Sequence, residues 1–392
     1  MWEGPSVITM PDMSSDNGVT GFEDGLEVLD SLTQSGKRSL FDATRSKQDP
    51  RLVKQGFRSF SAGLLAQDLI RLDDYAGLFG GQAVYHLTKD TNGQFVHASN
   101  RENAQAIARR YSRAKYGSVS DIRFFADMVI RVLSRALDDV RSDWRTMFET
   151  AKTDGDQVVM MTTGWRNVPS TANVMFDIVV EQVNIKLAYL GLPTIINVKL
   201  PRIAPPCENY ASLSFEERER VSAAQDHVLP AGNFYSWPGV HVIFGDDVLV
   251  TGATADKVYA AALLHGAKSF KAIYPVLLDP LLALSTPATE EILNTTEVTG
   301  QLDATFAAVV AENDYVPILR SLRVLLDEAN RPALAGFVTT VPLRSLLKLY
   351  VSALNNEFLS DHRCIASLTI IKHHLVMVGV LDEHGYPCRR DA

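Results

Sequence analysis

The spacing of apolar residues divides this chain into stretches of different period. Phe125, Met128, Val129, Val132, Leu133, Ala136, Leu137 and Val140 recur at i, i+3, i+4 and i+7, with charged residues on the opposite face. That spacing predicts an amphipathic helix, with Ser118 or Ser120 placed to cap its start. From residue 156 the period changes to short apolar runs. QVVMMTT, PTIINVKL, VHVIFG and KSFKAIYPVLL read as four strands, with helices over 172–190 and 255–266 between them. Strands that alternate with helices predict a parallel sheet covered by helices on its faces. Beyond 290 the helical period returns, for example at Ile318, Leu322, Leu325 and Leu326.

Upstream, residues 51–100 combine a helical stretch (FSAGLLAQDLIRL), a strand-like run (AVYHLT) and a turn at Asn92-Gly93. Residues 1–50 are polar and rich in Ser, Asp and Gly, with one short helix expected near Leu26–Leu32. The division that follows is a loosely ordered lead-in over 1–50, a mainly helical N-terminal addition or hood over 51–150, an α/β core over 151–290 and a helical region over 291–392. No internal repeat is visible.

Composition narrows the classes. The 392 residues are 46% hydrophobic and 21% charged, ordinary for a globular protein with a real core. The formal net charge is −8, which disfavours bulk electrostatic binding to nucleic acid or anionic membranes. The three cysteines, Cys207, Cys364 and Cys388, lie far apart without metal-ligand or disulfide spacing, as expected in a reducing, cytoplasmic setting. The N-terminus lacks the basic start and apolar run of a signal peptide, and no stretch reaches the ~18 apolar residues of a membrane span.

The run VIFGDDVLVTGAT at 242–254 carries the chemistry. An apolar strand ends in two carboxylates, Asp246 and Asp247. Val248, Leu249, Val250, Thr251, Gly252, Ala253 and Thr254 then lead into a helix. A tight turn lets successive backbone N–H groups point inward, and a helix N-terminus adds positive potential; together they capture phosphate. Gly252 permits close backbone approach, and the hydroxyls of Thr251 and Thr254 can donate to phosphate oxygens. Paired carboxylates at a strand end suit a sugar diol and a hard cation. An ordinary strand-to-helix turn with an acidic pair is the bland reading of the same residues.

These thirteen positions resemble the phosphoribosyl-pyrophosphate signature of the type I phosphoribosyltransferases, with Gly245 in place of the fourth bulky apolar residue. The resemblance implies a parallel-sheet core, Asp246 and Asp247 on the ribose hydroxyls directly or through Mg²⁺, and residues 250–254 around the 5-phosphate. It also implies a pyrophosphate loop after the first core strand, where Thr163, Gly164, Trp165 and Arg166 stand. Arg166 would neutralise pyrophosphate oxygens; a surface arginine in a loop is the plainer alternative. Residues 201–238 fill the slot of the family's lid, with Asn209 and Tyr210 as candidate contacts and Arg202, Arg218 and Arg220 as weaker ones. Tyr111 to Gly117 and the segment around Asn209-Tyr210-Ala211 look like a bacterial group within this family, over roughly residues 105–375.

The activity implied is Mg²⁺-dependent transfer of phosphoribosyl from phosphoribosyl pyrophosphate to a small nitrogenous acceptor, with release of pyrophosphate. The alternative is a non-catalytic protein that senses the same ligand. No general base appears in the signature loop, where Leu249 or Val250 stands at the position that carries an acid in several purine enzymes. Neither a nucleic-acid nor a membrane partner is expected, and a homodimer is an open expectation. Lys115 and Arg113 read as a solvated helix start rather than as phosphate ligands. His373-His374 reads as structural, since adjacent residues on a helix do not share a face. Ser35 to Ser39 lacks the earlier glycine of a P-loop, and Gly77 to Gly81 lacks dinucleotide spacing.

Overall fold

The computed structural model describes residues 82–201, 239–250, 252–279, 282–283, 286, 288 and 289–388. The lead-in over 1–50, the helical stretch before residue 82 and the lid segment with Asn209 and Tyr210 lie outside them, as does Thr251.

Among the described residues, seven strands form one mixed, mostly parallel sheet. They are β1 (Gln82–Lys89), β2 (Phe95–His97), β3 (Gln157–Trp165), β4 (Ile195–Pro201), β5 (Val240–Gly245), β6 (Val248–Leu249) and β7 (Ser269–Leu278). The order across the sheet is β2-β1-β7-β5-β3-β4, with β6 alongside β7. Only the β1–β2 hairpin is antiparallel. The α/β class and the four core strands expected from the apolar runs are present. All six residues of β5 are buried, as a strand covered on both faces requires.

Within the region 51–150, expected to be mainly helical with one strand-like run, the described residues begin at Gln82. That strand-like run is β1, which pairs in parallel with β7 from Gln82 against Ile273 to Leu87 against Leu278. It therefore extends the core sheet. Short alternating runs do not state which neighbour they will join, so periodicity alone could not assign β1 to this sheet. Three helices follow: α1 (Gln105–Lys115), α2 (Val119–Asp138) and α3 (Asp143–Asp154). Ser118 caps α2 by accepting from the Asp121 N–H at 3.3 Å.

Helices α4 (Thr171–Tyr189) and α5 (Ala253–Leu264) complete the core. One face of the sheet packs on α1 to α4 through Ile122, Phe125, Val129, Phe176, Val179 and their neighbours. The other packs on α5 through Val258, Tyr259 and Ala262. The chain then continues into α6 (Thr289–Asn294), α7 (Ala304–Val310), α8 (Leu319–Leu326), α9 (Arg331–Thr340), α10 (Leu343–Asn355) and α11 (His362–Met377). These helices bury their own core, built on Phe306, Leu322, Leu325, Phe337, Leu349 and Ile371. Tyr116 and Val168 from the α/β part are embedded in it.

No helix among the described residues is long and apolar enough to cross a membrane.

Candidate functional site

After β3 the chain crosses to β4 on one side, and β5 lies on the other side of β3. The strand order therefore reverses between β3 and β5. Open α/β sheets bind ligands in the crevice outside the strand C-termini at such a reversal. A cavity of about 430 Å³ lies here, lined by the turn after β5, by Gly164 at the end of β3 and by the first residues of α4.

Asp246 and Asp247 follow β5 directly and both line this cavity. The Asp247 backbone N–H donates to Asp246 Oδ1 at 3.0 Å, so the turn fixes the Asp246 carboxyl. Burial and the neighbouring Asp247 push the Asp246 carboxyl up to about 8; Lys115 and the Asp247 N–H work against that shift. Asp247 is buried, and Lys115 Nζ donates to its Oδ2 at 2.7 Å. Tyr111, one helical turn before Lys115, is fully buried. Its hydroxyl has no hydrogen-bond partner among the described residues. Burial raises its pKa well above the usual tyrosine value, and Asp247, Glu290 and Asp246 add to the rise.

Downstream, Val250, Gly252 and Thr254 line the same cavity, and Ala253 opens α5. Gly252 has φ +75°, a conformation that favours glycine. The opposite wall is Gly164, with φ +80°, then Ser170, Thr171 and Ala172. Ser170 and Asn173 form a reciprocal capping box at the start of α4, and Asn173 also donates to Thr162 Oγ1 of β3 at 2.7 Å. Two helix N-termini, one on each side of the reversal, thus meet one cavity. Each carries partial positive charge suited to an anion.

The other residues of the expected pyrophosphate loop stand apart. Thr163 lies within β3. The Trp165 ring packs under Lys199 Nζ, 4.7 Å from its centroid. The Arg166 N–H donates to the Val168 carbonyl at 3.3 Å, and Arg166 is not among the residues that line the cavity.

Several lining residues escaped the sequence reading. Lys115 was expected on a solvated helix start; it ends α1 and reaches Asp247. Arg113, expected beside it, instead pairs with the buried Asp121, Nε to Oδ2 at 2.6 Å. From the C-terminal helices come Glu290, Glu291, Arg320, Arg323 and Asp327. Arg320 Nη1 donates to both Glu291 oxygens, at 2.9 and 3.1 Å. Its guanidinium lies 5.8 Å from the Tyr116 ring centroid. Burial works against the Arg320 charge, but Glu291 and Tyr116 outweigh it and hold the pKa above the ordinary arginine value. No spacing in the sequence links residues 115, 291 and 320; only the fold joins them.

Among the described residues no group of three or more His, Cys, Asp or Glu side chains forms a metal-ligand set. His373 and His374 lie on α11, away from the cavity. Comparison with family models, with curated proteins and with solved structures finds no match for this chain.

Proposed function

We propose that this protein is a type I phosphoribosyltransferase-like enzyme that binds phosphoribosyl pyrophosphate with Mg²⁺ and transfers the phosphoribosyl group to a small nitrogenous acceptor. One observation carries the reading. The described residues of the signature run from β5 through the acidic turn and the short β6 to Gly252 and the start of α5, and they share a cavity with a second helix N-terminus across the β3–β5 reversal. A sugar with a phosphate at one end and a pyrophosphate at the other matches two helix N-termini flanking a pair of carboxylates.

The residues divide the work by position. Gly252 and Thr254 at the start of α5 suit the 5-phosphate. The carboxylates of Asp246 and Asp247 suit the ribose hydroxyls. Gly164 and the start of α4 suit the pyrophosphate. As pyrophosphate leaves C1, negative charge grows on its bridging oxygen, and fixed N–H groups and dipoles there lower the barrier without reorganising. The donors present fit Mg²⁺, which keeps several waters and takes one or two carboxylates with substrate phosphates. Asp246 and Asp247 are hard oxygen donors, and both line the cavity. When bound, Mg²⁺ neutralises pyrophosphate oxygens and orients the ribose hydroxyls.

Asp246→Asn is the cleanest test, because Asp247 also holds Lys115. Calorimetric titration with phosphoribosyl pyrophosphate and Mg²⁺ should show affinity lost with the circular dichroism spectrum unchanged; an unchanged affinity refutes the assignment. The second reading, a non-catalytic sensor of the same ligand, draws on the position of Arg166 outside the cavity lining. Pyrophosphate release with a panel of nitrogenous acceptors decides between the two. Release establishes the enzyme, and binding without release establishes the sensor.

A further inference from the structure

The acidic turn already holds a cation of its own. Lys115 Nζ sits 2.7 Å from Asp247 Oδ2, and the two side chains are only 18% and 7% exposed. An ammonium at that distance stands where a hard cation would stand on the same carboxylate, and a second positive charge brought beside it is repelled. Asp246 and Asp247 by themselves also offer few ligands. Mg²⁺ gives up its waters reluctantly and binds where substrate phosphates join one or two carboxylates.

The position of Lys115 suits a change of partner. It ends α1, and the carbonyl just before it, that of Ala114, accepts from Thr171 Oγ1 at 3.3 Å. Lys115 and Thr171 both line the cavity. The lysine therefore stands between the acidic turn and the N-terminus of α4, the end assigned above to pyrophosphate. Its stem is flexible and its three donors rotate, and among the described residues its ammonium donates only to Asp247. Arg320, another lining cation, is already committed to both oxygens of Glu291. An anionic ligand needs a cation that can turn to it, and Lys115 is placed to do so.

We infer that Lys115 is an exchangeable counter-ion of Asp247. In the free protein it keeps divalent cations off that carboxylate. When phosphoribosyl pyrophosphate binds, Lys115 moves to the pyrophosphate oxygens and leaves Asp247 open to the ribose and to the ligand's metal. Asp247 exchanges one cation for another, so neither charge is left buried alone, which would be costly. The inference rests on the phosphoribosyl-pyrophosphate reading above.

The test uses the full chain, as wild type, Lys115→Gln and Lys115→Arg. Mn²⁺ alone is the first probe, followed by electron spin resonance. The wild type should bind it more weakly than about 1 mM, and Lys115→Gln at least about tenfold more tightly than the wild type. The second measurement compares phosphoribosyl pyrophosphate with ribose 5-phosphate in Mg²⁺, by calorimetry and competition. Both ligands present a ribose to Asp247, and only one presents pyrophosphate to Lys115. Lys115→Gln should therefore lower the preference for phosphoribosyl pyrophosphate by about tenfold or more, the loss of a charged hydrogen-bond partner. Lys115→Arg keeps the charge and should restore the wild-type pattern in both measurements. A lysine with only a structural role would leave the Mn²⁺ affinity and the ligand preference where they were. Should Lys115→Gln fail to fold, the wild type alone decides, because Mn²⁺ binding to it tighter than about 1 mM overturns the inference. Equal Mn²⁺ affinity in wild type and Lys115→Gln, or an equal ligand preference, also overturns it and leaves the parent reading intact. Failure of the wild type to bind phosphoribosyl pyrophosphate with Mg²⁺ overturns both together.

Discussion

Gly245 is the one departure from the thirteen-residue signature, and Phe176 explains it. A Cβ built on Gly245 would lie 2.8 Å from three atoms of the Phe176 ring. Carbon atoms pack best at about 3.5–4.0 Å, so the ring would have to move by about 0.7 Å or more. Phe176 is fully buried in the cluster between α4 and the sheet, and a close-packed interior resists that shift. Forcing an extra carbon into a packed core costs about 1–3 kcal/mol. Replacing glycine inside a strand returns about 0.5–1 kcal/mol of backbone entropy. Gly245→Ala should therefore lose about 1–2 kcal/mol. Phe176→Leu alone should lose about 1.5 kcal/mol. In the double variant the added methyl occupies space vacated by the ring, so its loss should fall short of the sum by about 1–2 kcal/mol. Urea unfolding of the four proteins measures the cycle through their midpoints. Because Gly245 precedes Asp246, calorimetry with phosphoribosyl pyrophosphate should show weakened binding in Gly245→Ala and recovery in the double variant. Strict additivity, or a Gly245→Ala protein as stable as the wild type, refutes the packing argument.

Removing Lys115 by Lys115→Met leaves the Asp247 carboxylate buried without its cation. Melting should report a loss of about 3 kcal/mol, and Lys115→Met with Asp247→Asn should recover most of it. Gly117→Ala should destabilise by more than about 3 kcal/mol: φ there is +95° and the new Cβ would lie 2.2 Å from the Val316 carbonyl oxygen, and a soluble, wild-type-like melt would contradict it. Burial pushes the Cys364 thiol up to about 11, and nearby Asp361 adds to the rise. Iodoacetamide at pH 8 should therefore label the exposed Cys388 and spare Cys364 in native protein, as read by peptide mass spectrometry, while both react in urea.

The parts of the fold legible in the sequence are those fixed by local period. The four core strands, the helices between them and the long amphipathic α2 follow from apolar spacing, and Ser118 was one of two cap candidates. The acidic pair and glycine turn were legible because thirteen contiguous residues encode a complete strand–turn–helix unit. The rest depends on contacts between residues far apart in the chain. Lys115 and Asp247 are 132 positions apart, and a lysine at the end of a polar helix has the same local pattern whether it meets solvent or a carboxylate. Arg320 sits within the helical stretch Leu319–Leu326, whose period announces only an apolar face. Gly245 looked like an imperfect match because the residue that compensates for it, Phe176, lies on another element.

One turn of chain, from Ser112 to Gly117, explains why the C-terminal helices belong to the site rather than standing as an appendage. Ser112 Oγ donates to the Asn294 carbonyl at 2.7 Å and accepts from the N–H groups of Glu297 and Val298 at 3.1 and 3.0 Å. The Ala114 carbonyl accepts from Thr171 Oγ1 at the start of α4. Lys115 holds Asp247, the Tyr116 carbonyl accepts from Ser321 of α8 at 2.7 Å, and the Gly117 carbonyl accepts from the Val316 N–H. The same turn therefore fixes the acidic pair, the N-terminus of α4 and the helix that carries Arg320. Ser112 and the backbone of this turn are buried, where each unmade hydrogen bond costs about 1–3 kcal/mol. Moving α8 away would break these bonds at the point where Lys115 meets Asp247. The wall that carries Arg320 and the floor that carries Asp246 and Asp247 are consequently positioned together. The transferase proposed above would need such rigidity, because a small misplacement of two reactants is costly in rate.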